Sequence, residues 1–222
     1  MKATRSPRVK ICCISSREEA ALAIECGASA LGLVSQMPSG PGVIRDELIA
    51  EIAATVPPAI GTFLLTCKQS AVDIVSQQRS CRTNTIQICD YLTTGTYCDV
   101  KTALPGISVV QVIHVTGPES VEEAVRIAPL VDAILLDSGN QRLQVKELGG
   151  TGRTHDWNLS RDIRVQIPVP LFLAGGLTPD NVTQAIAEVG PFALDVCSGV
   201  RTNGKLDADK LTRFFASVRA AA

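Results

Sequence analysis

Eight short apolar runs recur along the chain: VKICC, ALGLV, AIGTFLL, TIQIC, SVVQVI, DAILLD, VPLFLA and FALDVC. Segments of helical periodicity separate them. A strand with no polar face needs cover on both sides, so these runs predict a parallel sheet wrapped in helices. Residues 16–26 place apolar side chains at helical spacing, acids in the first turn and Gly27 at the end. Residues 45–56 run helically up to Pro57 and Pro58, and residues 118–128 open with proline and acids. A helix over 179–189 follows Thr178 as a plausible N-cap, and an amphipathic helix from Asp207 to Ala220 closes the chain. The fourth helical segment, DYLTTGTYCDVKTA, is weak, because Gly95 and several threonines lower its propensity.

Eight such units favour a closed α/β TIM barrel, a single (β/α)8 domain over residues 1–222. An open doubly wound sheet would feed its first strand into a glycine-rich phosphate loop, and CCISSREE contains no GxGxxG. The glycine-rich loops follow strands six to eight instead. In a barrel, the strand C-termini carry catalysis and the last two loops often hold phosphate.

Composition removes several classes. Acidic and basic residues balance to a net charge of −1 without runs of either sign, which gives no reason to expect nucleic acid or an anionic membrane as partner. The N-terminal MKATRSPRVKICC lacks the apolar core of a signal peptide and no segment has the length of a membrane span, so a soluble cytoplasmic protein is expected. Eight scattered cysteines, several inside apolar runs, read as free thiols. Without a CxxC pair, and with only His114 and His155 far apart, no metal and no cofactor is expected.

Three polar residues fall at strand ends on the expected catalytic face: Cys12, Asp137 and Asp195. Cys12 has the alternative of a small core residue. Asp137 ends the run AILLD and must be solvated, paired or chemically active; a cap or salt bridge in the following loop is its alternative. Alternation turns Asp195 into the barrel if Ala193 and Cys197 share its side, where a buried pair with a lysine such as Lys10 is the structural alternative. The loops ELGGTGRT, LAGGLTPDN and CSGVRTNG allow backbone N–H groups to converge on an anion, so three in succession point to a phosphorylated ligand.

The segments VKICCIS, LLDS with GGTGRTHDW, LAGGLTPDNV and PFALDVCSGVRTNGKLD resemble the phosphoribosylanthranilate isomerase family of tryptophan biosynthesis. That resemblance implies a (β/α)8 enzyme that carries out an Amadori rearrangement. It implies Cys12 as the base that removes the sugar C2 proton and Asp137 as the acid that protonates the ring oxygen. Asp195 would hold the substrate's amino or hydroxyl groups, and the backbones at Gly149, Gly150, Gly175, Gly176, Ser198 and Gly199 would take the phosphate. The chain departs from the family in several places. Cys13 stands where the family has glycine, and the loop SQMPSGPGVI has no basic residue before Arg45. QICD replaces QLHG, and His114 stands where a basic residue is expected. The charge that meets the aromatic carboxylate would then come from Arg153 or Arg201. Two other readings are a barrel isomerase or epimerase for another sugar phosphate, and a non-catalytic phosphate-binding barrel. The oligomeric state, monomer or homodimer, is open. A bridge between the vicinal Cys12 and Cys13 would be strained, and both are expected to stay reduced.

Overall fold

In the computed structural model, which describes residues 6–221, each apolar run becomes one stave of a barrel. The strands are Arg8–Ile11 (β1), Ala30–Val34 (β2), Gly61–Thr66 (β3), Thr85–Ile88 (β4), Ser108–His114 (β5), Ala133–Asp137 (β6), Leu171–Leu173 (β7) and Ala193–Val196 (β8). All pair in parallel in sequence order, and β1 closes on β8 through Arg8 opposite Ala193 and Lys10 opposite Asp195. Alternation along these strands separates two apolar clusters. Ile11, Leu31, Leu64, Ile86 and Leu136 belong to a cluster shared with the surrounding helices; Phe63, Val110, Leu135 and Phe172 form a second, filling the barrel.

The helices are Arg17–Cys26 (α1), Asp46–Ala53 (α2), Ala71–Cys81 (α3), Tyr97–Ala103 (α4), Glu119–Ile127 (α5), Trp157–Gln166 (α6), Val182–Val189 (α7) and Ala208–Ala220 (α8). Gly27 ends α1 in the left-handed conformation, as the sequence predicts, and Ser16, read as part of the helical segment, stands just before it as the N-cap. The weak fourth segment does form a helix. Its compensation is a capping box, in which Thr96 accepts from the Asp99 N–H and Asp99 accepts from the Thr96 N–H. The seventh helix starts later than expected, at Val182, but Thr178 does cap the turn that leads into it, its Oγ1 accepting from the Asp180 N–H at 3.3 Å and its carbonyl from the Val182 N–H at 3.1 Å. The Asn181 side chain turns back, accepting from the Thr178 N–H at 2.8 Å and donating to the Gly176 carbonyl at 2.9 Å. Those bonds hold residues 178–181 as a turn, so Asn181 stitches the loop after β7 instead of capping the helix.

After β8 the chain makes a 3-10 turn at Ser198–Val200 and a small hairpin, Arg201–Thr202 (β9) with Lys205–Leu206 (β10). Among the described residues, no helix is long and apolar enough to cross a membrane.

Candidate active site

The strand C-termini surround an open cavity. Cys12 enters it directly after β1, Gln87 from β4, Asp137 at the end of β6 and Asp195 from β8. Strands β7 and β8 lie between those that supply Cys12 and Asp137, so the two groups reach the cavity from separate parts of its rim. Val34, Leu65, Met37 and Leu148 provide apolar wall.

Lys10 lies beneath this cavity, fully buried. Its Nζ is 2.9 Å from Asp195 Oδ1, 3.6 Å from Cys12 Sγ and 5.3 Å from the centre of the Phe63 ring. Burial alone would favour a neutral amine, but Asp195, with help from Cys12, outweighs it and raises Lys10 above its ordinary value. The ion pair raised as the structural alternative for Asp195 is therefore present, and Asp195 also faces the cavity. Gly32 leaves room for this cluster: a Cβ there would lie 2.9 Å from both Cys12 Sγ and Lys10 Nζ.

Asp137 is buried at the rim, opposite His114 in the neighbouring strand. One carboxylate oxygen accepts from the Ser138 N–H at 2.7 Å. Burial is the leading influence and raises the Asp137 carboxyl above the usual range, against the opposing pull of His114 and the Ser138 N–H. A carboxyl so placed holds its proton more readily than an exposed one, which suits a general acid. The other oxygen faces Gly149, where a Cβ would lie 2.8 Å away, and Gly149 has φ +133°; both facts call for glycine.

The loops after β2 and β6 meet over the cavity. Ser39 Oγ donates to the Lys146 carbonyl at 2.7 Å, and Lys146 Nζ reaches Asp90 at 2.5 Å. Of the expected phosphate residues, Gly149, Gly150, Gly175, Gly176 and Ser198 line the cavity. Gly199 does not; it lines a neighbouring surface cleft with Thr178, Lys210 and Arg213. Its lack of a side chain serves packing, since a Cβ would lie 1.9 Å from the Leu177 carbonyl oxygen.

Neither arginine suggested for the missing charge is in the cavity wall. Arg153 is exposed on the β6–α6 loop and pairs with Glu147. Arg201 is buried, holds Glu19 through two hydrogen bonds of 2.8 and 3.1 Å and donates to the carbonyls of Cys13 and Cys12 at 2.6 and 3.3 Å. It anchors the chain segment that carries Cys12. His114 is buried, with Nε2 3.0 Å from the Cys89 carbonyl. Gln87 is a site residue that sequence reasoning missed: it lines the cavity, and its Oε1 is buried without a hydrogen-bond partner. A single amide in the apolar run TIQIC was the available signal. Among the described residues, no group of three or more His, Cys, Asp or Glu side chains could hold a metal ion.

Comparison with known proteins gives this arrangement its context. The family model for N-(5'-phosphoribosyl)anthranilate (PRA) isomerase matches residues 9–217. The chain is 33% identical over 208 residues to the N-(5'-phosphoribosyl)anthranilate isomerase of Methanocella arvoryzae, covering 94% of this chain and 95% of that one. It is 35% identical over 212 residues to the enzyme of that name from Halorubrum lacusprofundi, covering 95% of both. The phosphoribosyl anthranilate isomerase of Thermotoga maritima superposes with a TM-score of 0.80 at 30% identity, over 96% of this chain and 99% of that one. A crystal structure of such an isomerase in complex with reduced 1-(o-carboxyphenylamino)-1-deoxyribulose 5-phosphate matches with a TM-score of 0.78 at 28% identity, over 96% and 99% of the two chains. With a family model matched from the first strand to the last helix and relatives similar over nearly their whole length, the chain belongs to the phosphoribosylanthranilate isomerase family.

Proposed function

We propose that the cavity isomerises N-(5'-phosphoribosyl)anthranilate to 1-(o-carboxyphenylamino)-1-deoxyribulose 5-phosphate, with Cys12 as base and Asp137 as acid. The observation that carries the reading is a thiol and a buried carboxyl of raised pKa facing one cavity from separate strands, with a buried ammonium 3.6 Å from the thiol. The substrate lies with its ribose between them. Asp137 gives its proton to the ring oxygen as the C1–O bond breaks, while the anthranilate nitrogen lone pair forms the C1=N bond. Cys12, as thiolate, takes the C2 proton, and the released electron pair forms C1=C2 and returns the nitrogen to a neutral amine. Movement of the C2 hydroxyl proton to C1 gives the ketone.

The amides around Gly149, Gly150, Gly175 and Gly176, with Ser198, hold the phosphate, supported by their place in the cavity wall. Gly199 shapes that cradle by letting the loops after β7 and β8 approach. Asp195 orients the substrate's amino or hydroxyl groups while its other interactions hold Lys10. Arg153 follows Thr151 and Gly152 of the wall and exchanges Glu147 for the anthranilate carboxylate. A cytoplasmic location fits this small phosphorylated substrate and the eight free cysteines.

Loss of anthranilate fluorescence on mixing the protein with fresh phosphoribosylanthranilate tests the reaction. Turnover is expected for wild type and abolished in Cys12→Ser and Asp137→Asn; a folded wild type without turnover overturns it. The absence of lysine and arginine from the cavity wall favours one second reading, a substrate sugar phosphate without the aromatic carboxylate. Faster turnover of the aniline analogue than of the anthranilate compound would select it.

A further inference from the structure

Cys13 and Cys197 stand on different strands' loops, 184 residues apart in sequence, with their Sγ atoms 2.9 Å apart. Neither has a part in the proposed proton transfers. Cys13 is buried and is one of three described non-glycine residues with positive φ, at +62°, a conformation that disfavours a side chain. Its Sγ is also 3.6 Å from the Pro41 carbonyl, and Gly42 presses on it so closely that a Cβ there would lie 2.5 Å from Cys13 Cβ. The thiol is thus fixed against Cys197 by the loop after β2.

The pair forms part of a wall between two spaces. On one side is the catalytic cavity, whose lining includes both cysteines. On the other is an open cleft lined by Cys13, Cys197, Ser15, Pro41, Gly42 and Arg201, which gives small molecules a second approach. We propose that Cys13 and Cys197 are an oxidisable dithiol, closed to a disulfide by hydroperoxides, that regulates the adjacent isomerase site. This regulation rests on the catalytic reading above; the dithiol chemistry does not.

The contact with Cys13 and the positive charge of Arg201 lower the Cys197 thiol from its ordinary value, while contacts with Cys12 and Cys197 together with burial raise Cys13. Cys197 thiolate attacks a peroxide oxygen; the O–O bond breaks, the sulfur is oxidised to a sulfenic acid, and the departing oxygen leaves as water or alcohol after taking a proton. Cys13 then attacks that sulfur, loses its proton, and expels the hydroxyl as water. Two thiols lose two electrons and two protons, and one hydroperoxide is reduced.

Closure shortens the sulfur separation from 2.9 Å to about 2.05 Å. Cys13 adjoins Cys12 and Cys197 adjoins Ser198, so the shift is transmitted to the base and to the phosphate cradle. A displacement on the order of 1 Å at a reacting group costs up to about a hundredfold in rate.

The test is to treat purified enzyme with equimolar hydrogen peroxide, alkylate the remaining thiols, and map peptides by mass spectrometry beside a turnover assay. Expected results are a link between the Cys13 and Cys197 peptides and a roughly tenfold to hundredfold fall in turnover, reversed by dithiothreitol. In Cys12→Ser, which removes the vicinal alternative, the link still forms. Measured against its own untreated rate, Cys197→Ser should resist the peroxide dose; Cys13→Gly, free of the backbone constraint, provides the same control if the first variant folds poorly. A link between Cys12 and Cys13, oxidation of Cys12 alone, or equal inactivation of these variants overturns the proposal. Peptide mapping remains decisive for the dithiol even if wild type turns over no phosphoribosylanthranilate, so the two readings fail separately.

Discussion

Replacing Lys10 by Met removes the cation beneath the site and leaves Asp195 as a buried, unpaired carboxylate. The pair is short, 2.9 Å, and its side chains are 0% and 6% exposed, so water cannot screen the loss. Deleting one member of such a pair costs about 3–5 kcal/mol, a large share of the roughly 5–15 kcal/mol that holds a domain folded. The upper part of that range applies here because Asp137 is close enough to feel Asp195, and Lys10 offsets their repulsion. Asp195→Asn should cost less, since Lys10 keeps Cys12 and the Phe63 ring as neighbours. Lys10→Met with Asp195→Asn buries no charge in either position and should recover much of the loss. Urea unfolding of the four proteins at neutral pH gives the energies directly. Single variants within about 1 kcal/mol of wild type, or a double variant equal to the sum of the singles, would refute the argument, because independent sites add.

Three further outcomes follow from the structure. Asp137 has a raised folded pKa, so the native state binds the proton more tightly than the unfolded chain, and stability conferred by protonation is lost as pH rises through the folded value. Asp137→Asn should therefore gain on wild type in urea midpoint as pH is raised from about 4, the unfolded value; a pH-independent difference would contradict this. His155 is lowered to about 4 by burial, so it resists protonation in the native state and stability should fall as pH drops from about 6.5 towards 4. His155→Phe should flatten that slope, which is worth at most about 3 kcal/mol, in thermal melts over the same window. Gly199→Ala would set a methyl group on the Leu177 carbonyl, and denaturant titration should show a loss of roughly 3 kcal/mol, the top of the usual overpacking range.

How much of this was legible in the sequence depends on the range of the interaction. ALGLV coincides with β2, and AILLD with β6, because an apolar run bounded by turns is a local signal. Asp137 was visible as a carboxylate that such a strand should not end on without reason. The α4 helix was undervalued because propensity is summed residue by residue, whereas its capping box is a geometry of four residues. The regular helix begins beyond the turn that Thr178 caps because the backward turn of Asn181 depends on the Gly176 carbonyl, which only the folded loop presents. The contacts of Lys10 with Asp195, Cys13 with Cys197 and Arg201 with Glu19 join residues more than 180 positions apart. Each is set by the β1–β8 closure, and no local pattern announces its register. Gly199 shows the same limit: nothing local in the sequence marks a glycine that must lie against a neighbouring carbonyl.

The proposed reaction moves negative charge across the cavity, and this explains why one rigid cation lies under it. Before proton transfer the charge is on the Cys12 thiolate and Asp137 is neutral; afterwards Cys12 is neutral and Asp137 carries it. Cys12 contributes to keeping Lys10 protonated, and Lys10 in turn draws Asp137 towards its ionised form. A single ammonium therefore stabilises the charge at both ends of its path, and because Asp195 holds it in place it need not reorganise during the step. Asp195 also balances the site, since Lys10 without a fixed anion would bind the thiolate so strongly that its basicity towards the C2 proton would fall. The two functions separate in Lys10→Met with Asp195→Asn, which carries no charge yet keeps a polar group facing the substrate: it should fold better than Lys10→Met and lose the turnover that Asp195→Asn alone retains. If it retained turnover, the cation would be a structural element of the barrel alone.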